Sequence, residues 1–307
     1  MSSKKLNLVG QLMLLLATLA WGTSFFILKE TIETVYELFV LAIRFLFSGI
    51  VLGLIYIKRI KKASKKTIIH GLTLGGILVS AYIVQTYGLS FTTPSRNAFL
   101  TSSYCVMVPF LAWIITKIAP KPFNVISAVM CIVGIGFVAF SGESEQASNT
   151  LLGDGLTLVC AIFYGLQIIF ISRYQDAGED TSVLLVLQLL TVGVVCAVLS
   201  VIFELPQGTA GYSLDIKKIL KIGYLAVVCT MLAQMAQIYG QKFTTPNQAS
   251  LILSLEAVFG TLFSVILGDE KLTVGLVIGF IIIFIAMIIN ELKLDPLKLF
   301  NNKKSIE

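Results

Sequence analysis

Glu256 stands in the apolar run LILSLEAVFGTLF, with no lysine or arginine three or four positions away to neutralise it. A carboxylate in such surroundings is costly unless it has a partner or a wet cavity. Three kinds of chemistry are open to it: binding a substrate amine, exchanging a proton, or pairing with Arg44, which also lies in an apolar run. Arg44 is near enough to the end of its run to reach the interface by snorkelling, and otherwise suits a substrate carboxylate. Around these charges the sequence sets amides and rings at helical spacing. Tyr82 and Gln85 are three apart, and Gln234, Gln237 and Gln241 make one stripe. Asn97, Thr101 and Tyr104 follow i, i+4, i+7, and Leu253, Glu256 and Gly260 follow i, i+3, i+7. Trp21 and Ser24 have counterparts in Tyr164 and Gln167. Rings attract cations and apolar groups, and amides orient polar ends. The set Trp21, Ser24, Arg44, Tyr82, Gln85, Tyr104, Tyr164, Gln167, Gln234, Gln237 and Glu256 therefore suits a small amphipathic or zwitterionic molecule. A polyphosphate would call for more than one arginine. The competing reading is that the glutamines join helices through interhelical hydrogen bonds.

Other chemistries find little support. There is no H-E-x-x-H, G-x-S-x-G, Walker phosphate loop or pair of intramembrane aspartates. The expectation is a protein that is not an enzyme, with no cofactor and no metal, driven by a gradient or by exchange. Cys105, Cys131, Cys160, Cys196 and Cys229 all fall in apolar runs and read as small buried hydrophobes. His70 has no acidic or cysteine neighbour in sequence and reads as structural.

The elements that must position these side chains are apolar helices. Of 307 residues, 56% are hydrophobic and 13% charged, about half the charge of a soluble domain, and mean hydropathy is +0.90. Runs of about 20 apolar residues recur, the length that crosses a bilayer core of roughly 30 Å. Continuous runs such as IIIFIAMII lack the alternation of a membrane barrel. Ten spans are expected, near 6–28, 37–57, 67–89, 95–116, 122–140, 153–172, 181–203, 218–241, 246–267 and 273–292. The first is read as a permanent span, since its apolar stretch is too long for a signal peptide and no A-x-A-like exit follows. With the N-terminus inside, inner segments collect 16 Lys and Arg and outer segments 6, a positive-inside bias that places both termini in the cytoplasm. The net charge of +6 is thus topological and implies no nucleic-acid partner; the partners are the lipid bilayer and a small-molecule substrate. The patterns GIVLG, GLTLG and GLVIG allow close helix approach and leave a homodimer open.

The chain also writes one phrase twice. QTYGLSFTTP (Gln85 to Pro94) and QIYGQKFTTP (Gln237 to Pro246) share seven of ten letters at an offset of 152. Upstream the offset is about 143, where AWGTSFF lies over FYGLQII and Arg44 falls near Gln188. Two five-span repeats, 1–145 and 146–307, follow. Because five is odd, the second enters the membrane inverted. This architecture places a shared cavity near the midplane, between the halves. In each phrase threonine is a good N-cap and proline a good first helical residue.

LAWGTSFF, AIRFLFSG, NAFLTSSYCVMVP and SLEAVFGTLFSVILGDEKLT resemble the EamA family of the drug/metabolite transporter superfamily, in register with both halves. Ala257 replaces the proline usual in the ninth-span motif, while Glu256 and Glu270 remain. Glu270 reads equally well as a solvated cap and is left out of the cavity. The resemblance implies ten spans in two inverted repeats, an inner-membrane location, and export of small metabolites such as amino acids. The expected function is a secondary transporter, an exporter of amino acids or similar zwitterions working by alternating access. A multidrug or organic-cation exporter, or a non-transporting receptor or assembly protein, stays open as the alternative.

Overall fold

A computed structural model describes residues 3–117, 119–139, 147–268 and 271–291, and within these it is helical with no strand. The long helices are α1 (Ser3–Ile32), α2 (Glu37–Ile55), α4 (Lys65–Phe91), α7 (Pro122–Ala139), α8 (Ala147–Asp176), α9 (Thr181–Leu199) and α14 (Val274–Glu291), with a four-residue α3 (Ile57–Ile60). Three further spans are interrupted. α5 (Pro94–Ser102) runs into α6 (Tyr104–Thr116), and α12 (Pro246–Ser254) into α13 (Glu256–Gly268). α10 (Ile216–Ala226) reaches α11 (Ala233–Gln241) through a wide π-helical turn, Val227–Leu232. Among the described residues eight helical segments are long and apolar enough to cross a membrane, and Pro122–Phe137 and Val274–Ile289 are shorter apolar helices. Glu270 and the four C-terminal lysines lie outside the described residues.

Side chains sort by solvent. Leu12, Leu16, Phe47, Ile50, Leu54, Ile132, Val201 and Ile266 are among the large apolar residues left on the outside, where lipid takes the place of water. The polar residues Arg44, Gln167, Gln188, Gln234 and Gln237 are at most 2% exposed. This inside-out distribution is that of a membrane bundle around a polar interior.

Close approach is carried by glycine. A Cβ on Gly10 would come within 2.8 Å of the Gly240 carbonyl oxygen, and one on Gly153 within 2.7 Å of the Gly88 carbonyl oxygen. α1 thus crosses α11 backbone to backbone, and α8 crosses α4 the same way. α2 and α9 pack reciprocally: Gly49 receives Leu190, and Gly193 receives Leu46. The GIVLG and GLTLG glycines Gly49, Gly53, Gly71 and Gly75 all face α9 within the molecule.

The two threonine caps form as the sequence predicts. The Thr93 hydroxyl accepts from the Arg96 amide, and the Thr245 hydroxyl accepts from the Gln248 amide, each with proline next. Beyond them the helices tighten at equivalent points, which sequence reading missed. Ser103 has ψ −12° and Leu255 ψ −13°, far from the α-helical −42° or so, and their amides donate to Leu100 and Ile252, three residues back. Hydroxyls are bound nearby, Ser103 Oγ to the Leu100 oxygen and Ser254 Oγ to the Leu251 oxygen, a back-bonding that bends helices.

Candidate functional site

Two of the interrupted helices deliver a functional side chain just past the break. Tyr104 begins α6 and Glu256 begins α13. They converge on one narrow cleft, closely filled by its side chains, with about 30 Å³ of room for water. α1 lines it with Trp21, Ser24, Phe25 and Leu28, one face of a helix. α2 adds Arg44, α4 adds Tyr82, Gln85 and Leu89, α5 adds Asn97, α8 adds Tyr164, Gln167 and Ile168, α11 adds Gln237 and α12 adds Leu253.

Ten of the eleven residues expected at the site therefore share this lining. Gln234 does not. It stands behind the cleft, its Nε2 donating to the Tyr82 hydroxyl at 3.2 Å. Asn97, noted for its spacing only, belongs to the lining, its amide donating to Thr157 Oγ1 at 2.7 Å. Phe25, Leu28, Leu89 and Ile168 carried no sequence signal beyond being apolar, and Leu253 only its spacing with Glu256.

The polar network is local. Tyr164 donates to Gln85 Oε1 at 2.7 Å, while Gln85 Nε2 donates to Thr101 Oγ1 at 3.1 Å. Gln237 and Gln167 meet at 3.5 Å, and Gln167 and Gln188 at 3.4 Å. The Tyr82 ring stands edge-on to those of Tyr164 and Phe45. These bonds do join helices, so the glue reading of the glutamines holds in part. It does not satisfy the set, since Asn97 Oδ1, Gln188 Nε2, Gln234 Oε1 and Gln237 Oε1 are buried without a partner. Such groups call for water or a ligand.

The two charges correct the sequence reading. Arg44 does not snorkel: it is 1% exposed, because its face of α2 packs against the Val227–Leu232 turn. Nor does it pair with Glu256, since the ion pairs among the described residues lie elsewhere. Arg44 Nε donates to Thr230 Oγ1 at 3.1 Å, and its guanidinium carbon sits 5.9 and 5.8 Å from the ring centres of Phe45 and Tyr82. Its Nη1 is buried and unpartnered. Glu256 takes a long 3.4 Å bond from Ser102 Oγ and lies beside the Tyr104 side chain. An acid and a base thus line one enclosure without neutralising each other.

His70 has the acidic neighbour that the sequence hid. Its Nδ1 is 3.0 Å from Glu179 Oε1, and its ring stacks on Tyr174 at 4.0 Å. This cluster ties α4 to the α8–α9 connection, away from the cleft. The five cysteines are buried and form no disulfide among the described residues. Among the described residues no group of three His, Cys, Asp or Glu is placed to hold a metal.

The sequence model of the EamA-like transporter family matches residues 8–140 and again 151–291. The chain belongs to the EamA-like transporter family. As an EamA-like protein it is a multi-pass membrane protein of the drug/metabolite transporter superfamily. It is 30% identical over 288 residues to an uncharacterized transporter of Archaeoglobus fulgidus, covering 94% of this chain and 87% of that protein. It is 22% identical over 281 residues to the uncharacterized transporter YoaV of Bacillus subtilis, covering 89% and 93%. A solved crystal structure of 17% identity superposes with a TM-score of 0.68, over 92% of this EamA-like chain and 97% of the other. That likeness concerns the fold alone.

Proposed function

We propose that this protein is a secondary transporter that exports small zwitterions, amino acids first among them, across the plasma membrane. The reading has ten spans in two inverted repeats, 1–145 and 146–307, with both termini cytoplasmic and alternating access at the central cleft; it assigns the chain no chemical conversion. The observation that carries the substrate class is a pair of ionisable side chains that share a cleft and do not pair with each other. Arg44 and Glu256 line one buried cleft and do not bond to each other, so a ligand with a carboxylate and an ammonium answers both. Tyr82, Tyr104, Tyr164 and Trp21 supply faces for its side chain and its cationic end.

The inverted repeat draws support from the contacts. At the offset of 152, Tyr82 falls on Gln234 and these two touch; Tyr104 falls on Glu256 and these also lie together. A residue meets its own counterpart only near a two-fold axis. The reciprocal Gly49–Leu190 and Gly193–Leu46 contacts fit the same axis, as do the two separate family matches.

The organic-cation alternative makes use of Glu256 and the rings and leaves Arg44 unexplained. Counterflow in proteoliposomes loaded with single amino acids tests the reading. Wild type exchanges at least one of them, and Glu256→Gln lowers that exchange about tenfold or more, the loss of a charge-assisted contact. No exchange with any amino acid, together with exchange of an organic cation, would overturn the zwitterion assignment. Unchanged flux in Glu256→Gln would remove this acid from the mechanism.

A further inference from the structure

The π-helical turn between α10 and α11 does more than interrupt a helix. A π turn holds one residue more than an α turn, and its carbonyls lose regular partners. Here side chains bond carbonyls in the turn and just before it. Trp21 Nε1 donates to the Cys229 oxygen at 2.9 Å, and Ser48 Oγ reaches the Ala226 oxygen at 2.9 Å. Thr230 Oγ1 donates to the Leu225 oxygen five residues back, at 2.8 Å. Ser48 Oγ also lies 2.7 Å from the Arg44 oxygen. The wide turn therefore grips α1 at one cleft residue and α2 one turn from another.

Thr230 sits where these contacts meet. It is fully buried and does not line the cleft. With its proton committed to Leu225, its oxygen is left to accept, and what it accepts from is Arg44 Nε. A guanidinium is a planar fork, so fixing Nε fixes the direction of the opposite edge. Nη1 lies on that side, buried and without a partner, while Phe45 and Tyr82 bound the plane. We infer that Thr230 is a positioning residue: it holds the Arg44 fork open toward the cleft and so sets the preference for substrates that carry a carboxylate. The inference rests on the zwitterion reading and deepens it. Without the hydroxyl, Arg44 would turn Nη1 toward another acceptor, and the cleft would lose its fixed anion site while keeping Glu256 and the rings.

The test compares each of the twenty standard amino acids with the amine left when it loses its carboxylate. Binding to the purified full chain in detergent is read as a ratio of dissociation constants, so an inactive fraction cancels. Wild type prefers the amino acid. Thr230→Val and Thr230→Ala lower that preference about tenfold by weakening the amino acid alone, Thr230→Ser retains it, and Arg44→Gln abolishes it. If both Thr230 variants leave the ratio unchanged while Arg44→Gln abolishes it, the positioning role is wrong and the zwitterion reading stands. The positioning role also fails if they weaken amino acid and amine equally. If Arg44→Gln itself spares the ratio, or wild type binds no amino acid, the reading falls and the inference with it.

Discussion

At one end of the bundle Thr93 caps α5, and Arg96, the third residue of that helix, reaches across to Asp154 of α8. At the other end Thr245 caps α12, and Gln248, again the third residue, meets Asn7 of α1 at 3.2 Å. The frames correspond closely. At the 143-residue offset Gly153 falls on Gly10 and Asp154 on Gln11, and each glycine touches a partner glycine, Gly88 or Gly240. The chemistry does not correspond. Arg96 and Asp154 are 3% and 5% exposed and bonded twice, with Thr92 Oγ1 adding a 2.8 Å bond to the carboxylate. Asn7, Gln11 and Gln248 are only half-buried and neutral, linked by the Asn7–Gln248 contact and a 2.9 Å Gln11–Asn7 bond. One scaffold thus carries a charged clasp at one end and an amide clasp at the other. On the proposed cycle the two ends open in turn, and the end with the ion pair has the larger penalty for parting.

The largest expected effect comes from breaking that clasp on one side. Arg96→Gln leaves Asp154 buried without its counterion and destabilises the protein by about 3–5 kcal/mol, measured as unfolding in detergent. Arg96→Gln combined with Asp154→Gln copies the amide end and recovers most of the loss, because the uncompensated charge is gone. A single variant that costs under about 1 kcal/mol would mean the pair is wetter than its burial indicates. A double variant no better than the single one would break the comparison.

Much of this was legible in the sequence, and what was not has a physical reason. The spans announced themselves by apolar length, and the helix starts at Pro94 and Pro246 by cap chemistry. The cleft residues stood out because amides and charges are costly in an apolar helix. Hidden were features that depend on partners far along the chain. Arg96, at the very start of the expected span 95–116, counted only as an outer cation, and its burial against Asp154, 58 residues on, was hidden. Arg44 looked able to snorkel because Thr230, 186 residues on, cannot be seen from α2. Glu204 looked like part of a connection, yet it is buried and accepts from the amides of Leu38 and Phe39 at the start of α2. The π turn over VVCTML reads as ordinary apolar helix, since the side chains that bond carbonyls in it and just before it come from α1 and α2.

A middling effect tests whether the shared frame is real. Gly153→Ala and Gly10→Ala each push a methyl group to within 2.7 and 2.8 Å of a backbone oxygen, which cannot rotate away. Helices must separate by a few tenths of an ångström, and each variant loses about 1–3 kcal/mol. If the two ends share one scaffold the losses agree within about 0.5 kcal/mol, the scatter of independent sites. A loss confined to Gly153 would show that the clasp stiffens its end and that packing follows chemistry rather than fold.

The smallest effect belongs to the amide clasp. Gln248→Ala removes the Oε1 that accepts from Asn7 and from the Thr245 amide, and with it the reciprocal half of a capping box. Thr245 still caps the helix through its hydroxyl, and Asn7 still donates to the Phe243 oxygen at 3.0 Å, so no buried group is orphaned. The expected loss is about 0.5–1 kcal/mol in the same unfolding measurement. The contrast with Arg96→Gln then isolates one variable. Both substitutions remove the third residue of a proline-started helix from an inter-helix contact, and only one strands a buried charge. Near-equal losses would assign the cost to the lost contact itself, and the two ends would then be equally hard to open.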